Sequence, residues 1–125
     1  MLNDINYSGG NTSNYSTTEH IVGTWIDDSI LYEKTLVINN LASGAYRTVS
    51  HGITSPDIIF VKEGFAVYTP SGTNNPTSAI LSSYNSSVGA EEFLGAVSYD
   101  DFGYRCGADL GGGTAYITIR YTKSS

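Results

Sequence analysis

The stretch Thr114-Ala115-Tyr116-Ile117-Thr118-Ile119-Arg120-Tyr121-Thr122-Lys123 decides the fold class. Ala115, Ile117, Ile119 and Tyr121 fall on one side of an extended chain, and Tyr116, Thr118, Arg120 and Thr122 on the other. Alternation of this kind marks a β-strand, because successive side chains leave a pleated backbone on opposite faces. The residues that fill it are largely β-branched or aromatic, the types that fit a pleated surface. The strand ends only a few residues before Ser125, so it is expected to be an integral member of a sheet.

Working outward, strand signals recur and helix signals do not. No window of a dozen residues keeps an apolar i, i+3, i+4, i+7 pattern free of Gly and β-branched clusters. Residues 20–26 (HIVGTWI) end at the polar turn Asp27-Asp28-Ser29, and residues 30–38 (ILYEKTLVI) follow, which predicts a β-hairpin. In its second strand Ile30, Tyr32, Lys34, Leu36 and Ile38 share one face, and Leu31, Glu33, Thr35 and Val37 the other. Neither face is purely polar, so the outer side is expected to be partly covered by another element or another chain. Residues 46–50 (YRTVS) form a short strand candidate. Residues 57–68 (DIIFVKEGFAVY) hold the strongest apolar run, with Gly64 marking a bulge or a tight bend between two strands. Residues 69–77 (TPSGTNNPT) are a loop, 78–83 (SAILSS) a brief strand, and 84–92 a second loop. Residues 93–99 and 102–108 flank Asp100-Asp101 as a second hairpin, and Gly111-Gly112-Gly113 reads as a flexible turn. Seven to eight short strands with turn signals between them predict an all-β fold, an antiparallel β-sandwich of jelly-roll type or a barrel.

Composition sets the outer bounds. The chain has 125 residues, which suits one domain. Residues 1–17, rich in Asn, Ser, Gly and Tyr, read as a linker or arm, and 18–125 as the sandwich domain. The arm is a flexible tether, or else Tyr7 and Tyr15 pack along a neighbouring subunit. Charged residues make up only 14%, against about 25% in ordinary soluble domains. Ten Tyr and fourteen Gly, with many Ser, Thr and Asn, take their place. A net charge of −6 argues against a nucleic-acid partner, whose phosphates call for clustered Lys and Arg. No apolar run approaches the roughly 18 residues of a membrane span, so membrane insertion is not expected. The start MLNDINYSGG lacks the basic and apolar regions of a signal peptide. Without a secretory route, the Asn-X-Ser/Thr sites at Asn6, Asn11, Asn14 and Asn85 read as turn sequence. One cysteine, Cys106, closes no internal disulfide.

Three blocks carry a resemblance. Tyr15-Ser16-Thr17-Thr18-Glu19, Gly23-Thr24-Trp25-Ile26-Asp27 and Leu31-Tyr32-Glu33-Lys34-Thr35 form the first, Ser50-His51-Gly52-Ile53 the second, and Ala115 to Lys123 the third. Together they resemble the pattern YSTxE…GTWIDGKPIYRKT…HGI…AYVTLEYTK of C-terminal domains in phage tail-fibre, baseplate and related virion structural proteins. The chain departs from that pattern at Asp28-Ser29, where the family turn has Gly after the Asp, and at Glu33, where the family has a basic residue. Residues 69–113 match little of it. The resemblance implies a β-sandwich at the end of a virion appendage, often a homotrimer, in contact with other virion proteins and with a host cell-surface receptor such as a glycan. It also implies a location on the virion, after synthesis in the host cytoplasm.

Trp25 reads as a hairpin anchor rather than a sugar platform. His51, with no Cys, Asp or Glu at ligand spacing, reads as a hydrogen-bonded structural residue, and His20 as an exposed strand end. Asp27-Asp28 and Asp100-Asp101 lack the spaced acidic loop of a Ca²⁺ site, and turn chemistry explains them. Adjacent acids in a turn do not give the separation across a cleft that a glycosidase needs. No Gly-x-Ser-x-Gly elbow, P-loop or HExxH motif is present. Cys106 reads as buried and inert. The segment chosen for ligand contact is the second hairpin, with Tyr99, Asp100, Asp101, Tyr104 and Arg105, because a sugar offers C–H faces to aromatic rings and hydroxyls to polar groups. No cofactor, metal or catalysis is expected. Three functions follow in order: a virion structural domain, a stand-alone carbohydrate-binding module, and a glycan hydrolase.

Overall fold

The computed structural model describes residues 15–85 and 87–124. Tyr7 and the sites at Asn6, Asn11 and Asn14 lie outside the described residues. Eight strands form one sheet: β1 (His20–Thr24), β2 (Ile30–Ile38), β3 (Arg47–Ser50), β4 (Pro56–Tyr68), β5 (Thr77–Ser83), β6 (Phe93–Val97), β7 (Asp101–Cys106) and β8 (Thr114–Lys123). The spatial order is β1-β2-β8-β4-β5-β6-β7-β3. The class is all-β. One short 3₁₀ turn, Ala108–Leu110, precedes the final strand.

β8 takes the place its alternation predicts. It lies between β2 and β4 and pairs antiparallel with both. Ala115, Ile117, Ile119 and Tyr121 are wholly buried on the inner face. At about 25 cal/mol per Å² of apolar surface, these four side chains are a main source of fold stability. β4 is one continuous strand of 13 residues. Of its two irregularities against β8, one falls near its start, between Pro56 and Ile59, and the other between Val61 and Glu63, beside Gly64, so the bulge reading applies rather than a bend between two strands. A Cβ on Gly64 would lie 3.0 Å from Leu81 Cδ2 and 3.1 Å from Ile117 Cδ1, so the missing side chain is what lets those two close over it.

Two features separate the arrangement from an antiparallel sandwich. β5 pairs antiparallel with β4 over Thr77–Ile80 and then parallel with β6 over Leu81–Ser83. The strand thus changes partner midway and joins two halves into one sheet curled as a half-barrel. A parallel pair requires the chain to return to the same end of the sheet between β5 and β6, which a two-residue hairpin turn cannot do. The other feature is the route from β2 to β3. These are neighbours in sequence but lie at opposite ends of the sheet order, so the segment between them crosses the open side of the curl.

That crossing segment and the connection from β3 to β4 complete the core. Leu41 in the first, and His51 and Ile53 in the second, are buried without belonging to a strand. They join Phe93, Phe102, Tyr104 and Cys106 from one half and Ile38, Ala66, Ile117 and Tyr121 from the other. Backbone bonds stitch the segment down: Leu41 N donates to Gly113 O at 3.0 Å, Gly112 N to Leu41 O at 2.8 Å, and Gly44 N to Cys106 O at 3.1 Å. The glycine turn at 111–113 is therefore held, with Gly112 at φ 84°, where a side chain would be strained.

Candidate functional site

The second hairpin divides its residues between core and surface. Tyr104 is 4% exposed and packs against Phe93 at 6.1 Å between ring centroids. Its hydroxyl accepts a bond from Ala42 N at 3.2 Å, which fixes the crossing segment. Arg105 points to the other face, where its Nε donates to Gly44 O at 2.6 Å. Asp101 closes the turn, its Oδ1 accepting from Ser98 Oγ at 3.0 Å and its backbone oxygen from Ser98 N at 2.8 Å. Only Tyr99 and Asp100 stand free in solvent. The five residues are adjacent in sequence but do not converge on one ligand, because alternate residues of a strand project to opposite faces.

The other singled-out residues have structural surroundings. Trp25 lies in the β1–β2 turn, half-buried, its ring 5.6 Å from that of Phe60 on β4. The same turn is closed by Trp25 N donating to Ser29 O at 2.8 Å and by Ser29 N donating to Asp27 Oδ1 at 2.9 Å. The bonds from Ser29 hold the Asp27 carboxyl below the usual carboxylate range. Asp28 takes φ 70°, the left-handed region where the family turn would place glycine. His20 is half-buried at the start of β1, with Nδ1 3.1 Å from Thr18 O and Nε2 3.6 Å from Glu33. Cys106 is buried, its Sγ 3.5 Å from Ala42 O, and burial pushes its thiol pKa up, away from a reactive thiolate.

His51 is a junction. Its Nδ1 accepts from Ile53 N at 3.0 Å, so the proton sits on Nε2, which donates to Ser98 O at 2.9 Å. Its own carbonyl accepts from Lys34 Nζ at 2.8 Å. One residue therefore ties β2, the β3–β4 connection and the β6–β7 turn together. Among the described residues, no three His, Cys, Asp or Glu side chains gather closely enough to hold a metal ion. Among the described residues, no helix is long and apolar enough to cross a membrane.

The outer face of the first half carries the more unusual surface. Rows of side chains run across neighbouring strands there. His20, Glu33 and Arg120 form one row on β1, β2 and β8. Glu33 is buried, and Arg120 Nε donates to it at 2.8 Å. Thr35 and Thr118 form the next, their hydroxyls 3.0 Å apart. Residues 15–18 cover part of β2: Thr35 N donates to Ser16 O at 2.7 Å, and Tyr15 reaches Glu63 at 2.5 Å. Val37, Tyr116, Phe65 and Ile80 make a third row across β2, β8, β4 and β5. The Phe65 and Tyr116 rings lie 5.3 Å apart, and a hollow of about 300 Å³ opens between them, Tyr15 and Thr35. Ile80, at the end of the row, is 78% exposed. This row was not singled out from the sequence, although Val37 and Tyr116 stood on the nominally polar faces of their strands and were its signal.

A second surface lies where β5 changes partner. Tyr46 and Tyr84 meet edge to face there, ring centroids 5.2 Å apart, beside Ala96. Neither tyrosine was singled out from the sequence, because they flank strands far apart along the chain. Compared with protein-family models, with curated proteins and with solved structures, the chain gives no match.

Proposed function

We propose that the chain is a structural domain of a phage-type virion appendage, of tail fibre, baseplate or head fibre, that assembles as a homotrimer and serves assembly and host-surface attachment without chemistry of its own. The observation that carries this reading is the apolar row Val37, Tyr116, Phe65 and Ile80 on the outer face. Four neighbouring strands present it, yet the core lies on the opposite side of the sheet. Apolar surface left in water costs roughly 25 cal/mol per Å², and a second copy seated on the row removes that cost. A closed ring of copies lets each cover the next. Aromatic residues of this kind are enriched at the buried centres of interfaces.

The three sequence blocks support the virion setting. The first spans β1 and β2, the last is β8, and the middle one contains the His51 junction. The first and last belong to the half of the molecule that carries the row, and the middle one joins that half to the other. Residues 69–113, which the resemblance does not cover, hold β5, β6 and β7. A stand-alone carbohydrate-binding module is the second reading, favoured by the half-exposed pair Tyr46 and Tyr84. Native mass spectrometry at micromolar concentration separates them. A complex of three 13.4 kDa chains supports the fibre reading, and a strict monomer leaves only the module.

A further inference from the structure

The sheet opens along the line where β5 changes partner. β4 and β5 stay paired only as far as Phe65 and Ile80. Beyond them β5 turns to β6, and the remainder of β4 on that side, Ile59 to Gly64, faces a trough instead of a strand. The trough has a volume of about 470 Å³ and is lined by Phe60, Lys62, Leu81, Ser82, Ser83 and Ala96, among others. A second hollow of about 430 Å³ continues from it at Ala96 and ends between Tyr46 and Tyr84. Both volumes fall within the range of small-molecule sites.

Small residues build the floor. A Cβ on Gly103 would stand 1.8 Å from the Tyr46 hydroxyl, so Tyr46 lies against the sheet only because position 103 has no side chain. A Cβ on Gly95 would meet Gly103 O at 2.6 Å. Ala96, between the two hollows, is exposed. The walls divide by chemistry. One end offers two phenol rings, 51% and 43% exposed, whose hydroxyls have no hydrogen-bond partner among the described residues. The other end offers Ser82 and Lys62, while Ser83, next along β5, projects to the opposite face. The Ser82 hydroxyl and the Lys62 ammonium likewise bond to no side chain or backbone group among the described residues, and Lys62 is the single charged residue of the lining.

We propose that this trough is a carbohydrate site, taking a short oligosaccharide with a pyranose ring against Tyr46 and Tyr84 and its hydroxyls, or a sugar carboxylate, directed to Ser82 and Lys62. A sugar is the ligand class that offers C–H faces and hydroxyls within one short span. An apolar peptide would satisfy the ring end and leave Ser82 and Lys62 without partners. A polyanion would meet one cation and a net charge of −6. The inference deepens the attachment part of the proposed function and is independent of the number of copies in the assembly.

The test is ¹⁵N-correlation NMR of the full chain, titrated to millimolar concentration with lactose, sialyllactose, chitotriose and maltotriose. At least one sugar is expected to shift the amides of Ser82, Ser83 and Ala96. Tyr84→Ala is expected to weaken that sugar about tenfold, the size of one ring-stacking contact of about 1.4 kcal/mol. Ala96→Arg, at an exposed position outside the core, blocks the junction of the two hollows and abolishes binding while the rest of the spectrum stays native. Tyr99→Ala leaves binding unchanged. Absence of shifts with all four sugars overturns the site, as does binding that survives Ala96→Arg in a folded protein. Trough shifts that follow protein concentration instead of sugar also overturn it, because they place another copy there. The mass of the same sample reports on the virion reading separately, so either proposal can fail alone.

Discussion

The two hairpins look alike in sequence and live differently in the fold. β1–β2 and β6–β7 each join two strands rich in Val, Ile, Leu and aromatic residues through a turn with paired Asp. In β6–β7, Phe93, Leu94, Phe102, Tyr104 and Cys106 are buried. In β1 and the turn that follows, Ile21 and Ile26 are exposed, Ile26 at 89%. The difference is position in the sheet. β6 and β7 lie between β5 and β3, inside the curl, whereas β1 is an edge with a neighbour on one side only. An apolar edge strand without Lys or Pro is a surface that natural sheets normally blunt. The lesson is that hydrophobicity alone does not say which side of a strand has a neighbour, and that this chain keeps its unpartnered apolar surface on the β1–β2–β8 half.

That contrast can be broken from either side. The largest effect is expected at Phe102→Ala, which removes a wholly buried ring from the second hairpin and should cost about 4 kcal/mol, read as a shift of the urea midpoint. His51→Ala comes next. It strips the tie between the hairpins and leaves Ile53 N and Ser98 O without partners, a loss of about 2 kcal/mol by the same measurement. Arg120→Ala leaves the buried Glu33 carboxylate with only His20, 3.6 Å away, on the outer face and should lower stability by roughly 1–2 kcal/mol. In the first hairpin, Ile26→Ser is expected to change stability by less than about 0.5 kcal/mol, because its side chain touches water already.

The acid limb of stability sharpens the comparison further, because one carboxylate anchors the start of the first hairpin. Glu19 accepts from Tyr121 at 2.5 Å and from Lys123 at 2.7 Å, while Lys123 sits 4.6 Å over the Tyr32 ring. Burial pushes the Glu19 carboxyl up, but the bonds from Lys123 and Tyr121 outweigh it and hold the pKa below its ordinary 4.5. A carboxyl with a lowered folded-state pKa adds stability above its unfolded value, and that addition is lost as pH falls through the folded one. Thermal melts between pH 6 and pH 3 should therefore show a decline that is smaller in Glu19→Gln. An equal decline in both proteins removes Glu19 from the account.

Much of the sheet was legible in the sequence and its closure was not. β8 announced itself because its alternation is nearly unbroken, and β2 showed mixed faces because residues 15–18 and Arg120 cover its outer side. His51 as a hydrogen-bonded junction was also legible, since it lacked any ligand-spaced companion. The change of partner in β5 was hidden, because the seven residues TSAILSS carry no mark of which neighbour each end meets. The surfaces were hidden for the same reason. Tyr46 and Tyr84 meet only after β3 and β5 are placed, and the row Val37, Tyr116, Phe65 and Ile80 draws one residue from each of four strands. Tyr104, chosen for ligand contact from its neighbours in sequence, went to the core because Phe102, two residues earlier on its own strand, and Phe93 on the neighbouring strand lie on that side.

The claim that most needs testing is that the outer row is covered by further copies of the chain. Sedimentation equilibrium of the wild-type chain beside Ile80→Lys addresses it directly, since position 80 is exposed and a lysine there leaves the core intact. The account predicts a wild-type mass of three times 13.4 kDa and a folded single chain for the variant. A wild-type protein that stays a single folded chain at micromolar concentration, or a variant that assembles as well as the wild type, would contradict it.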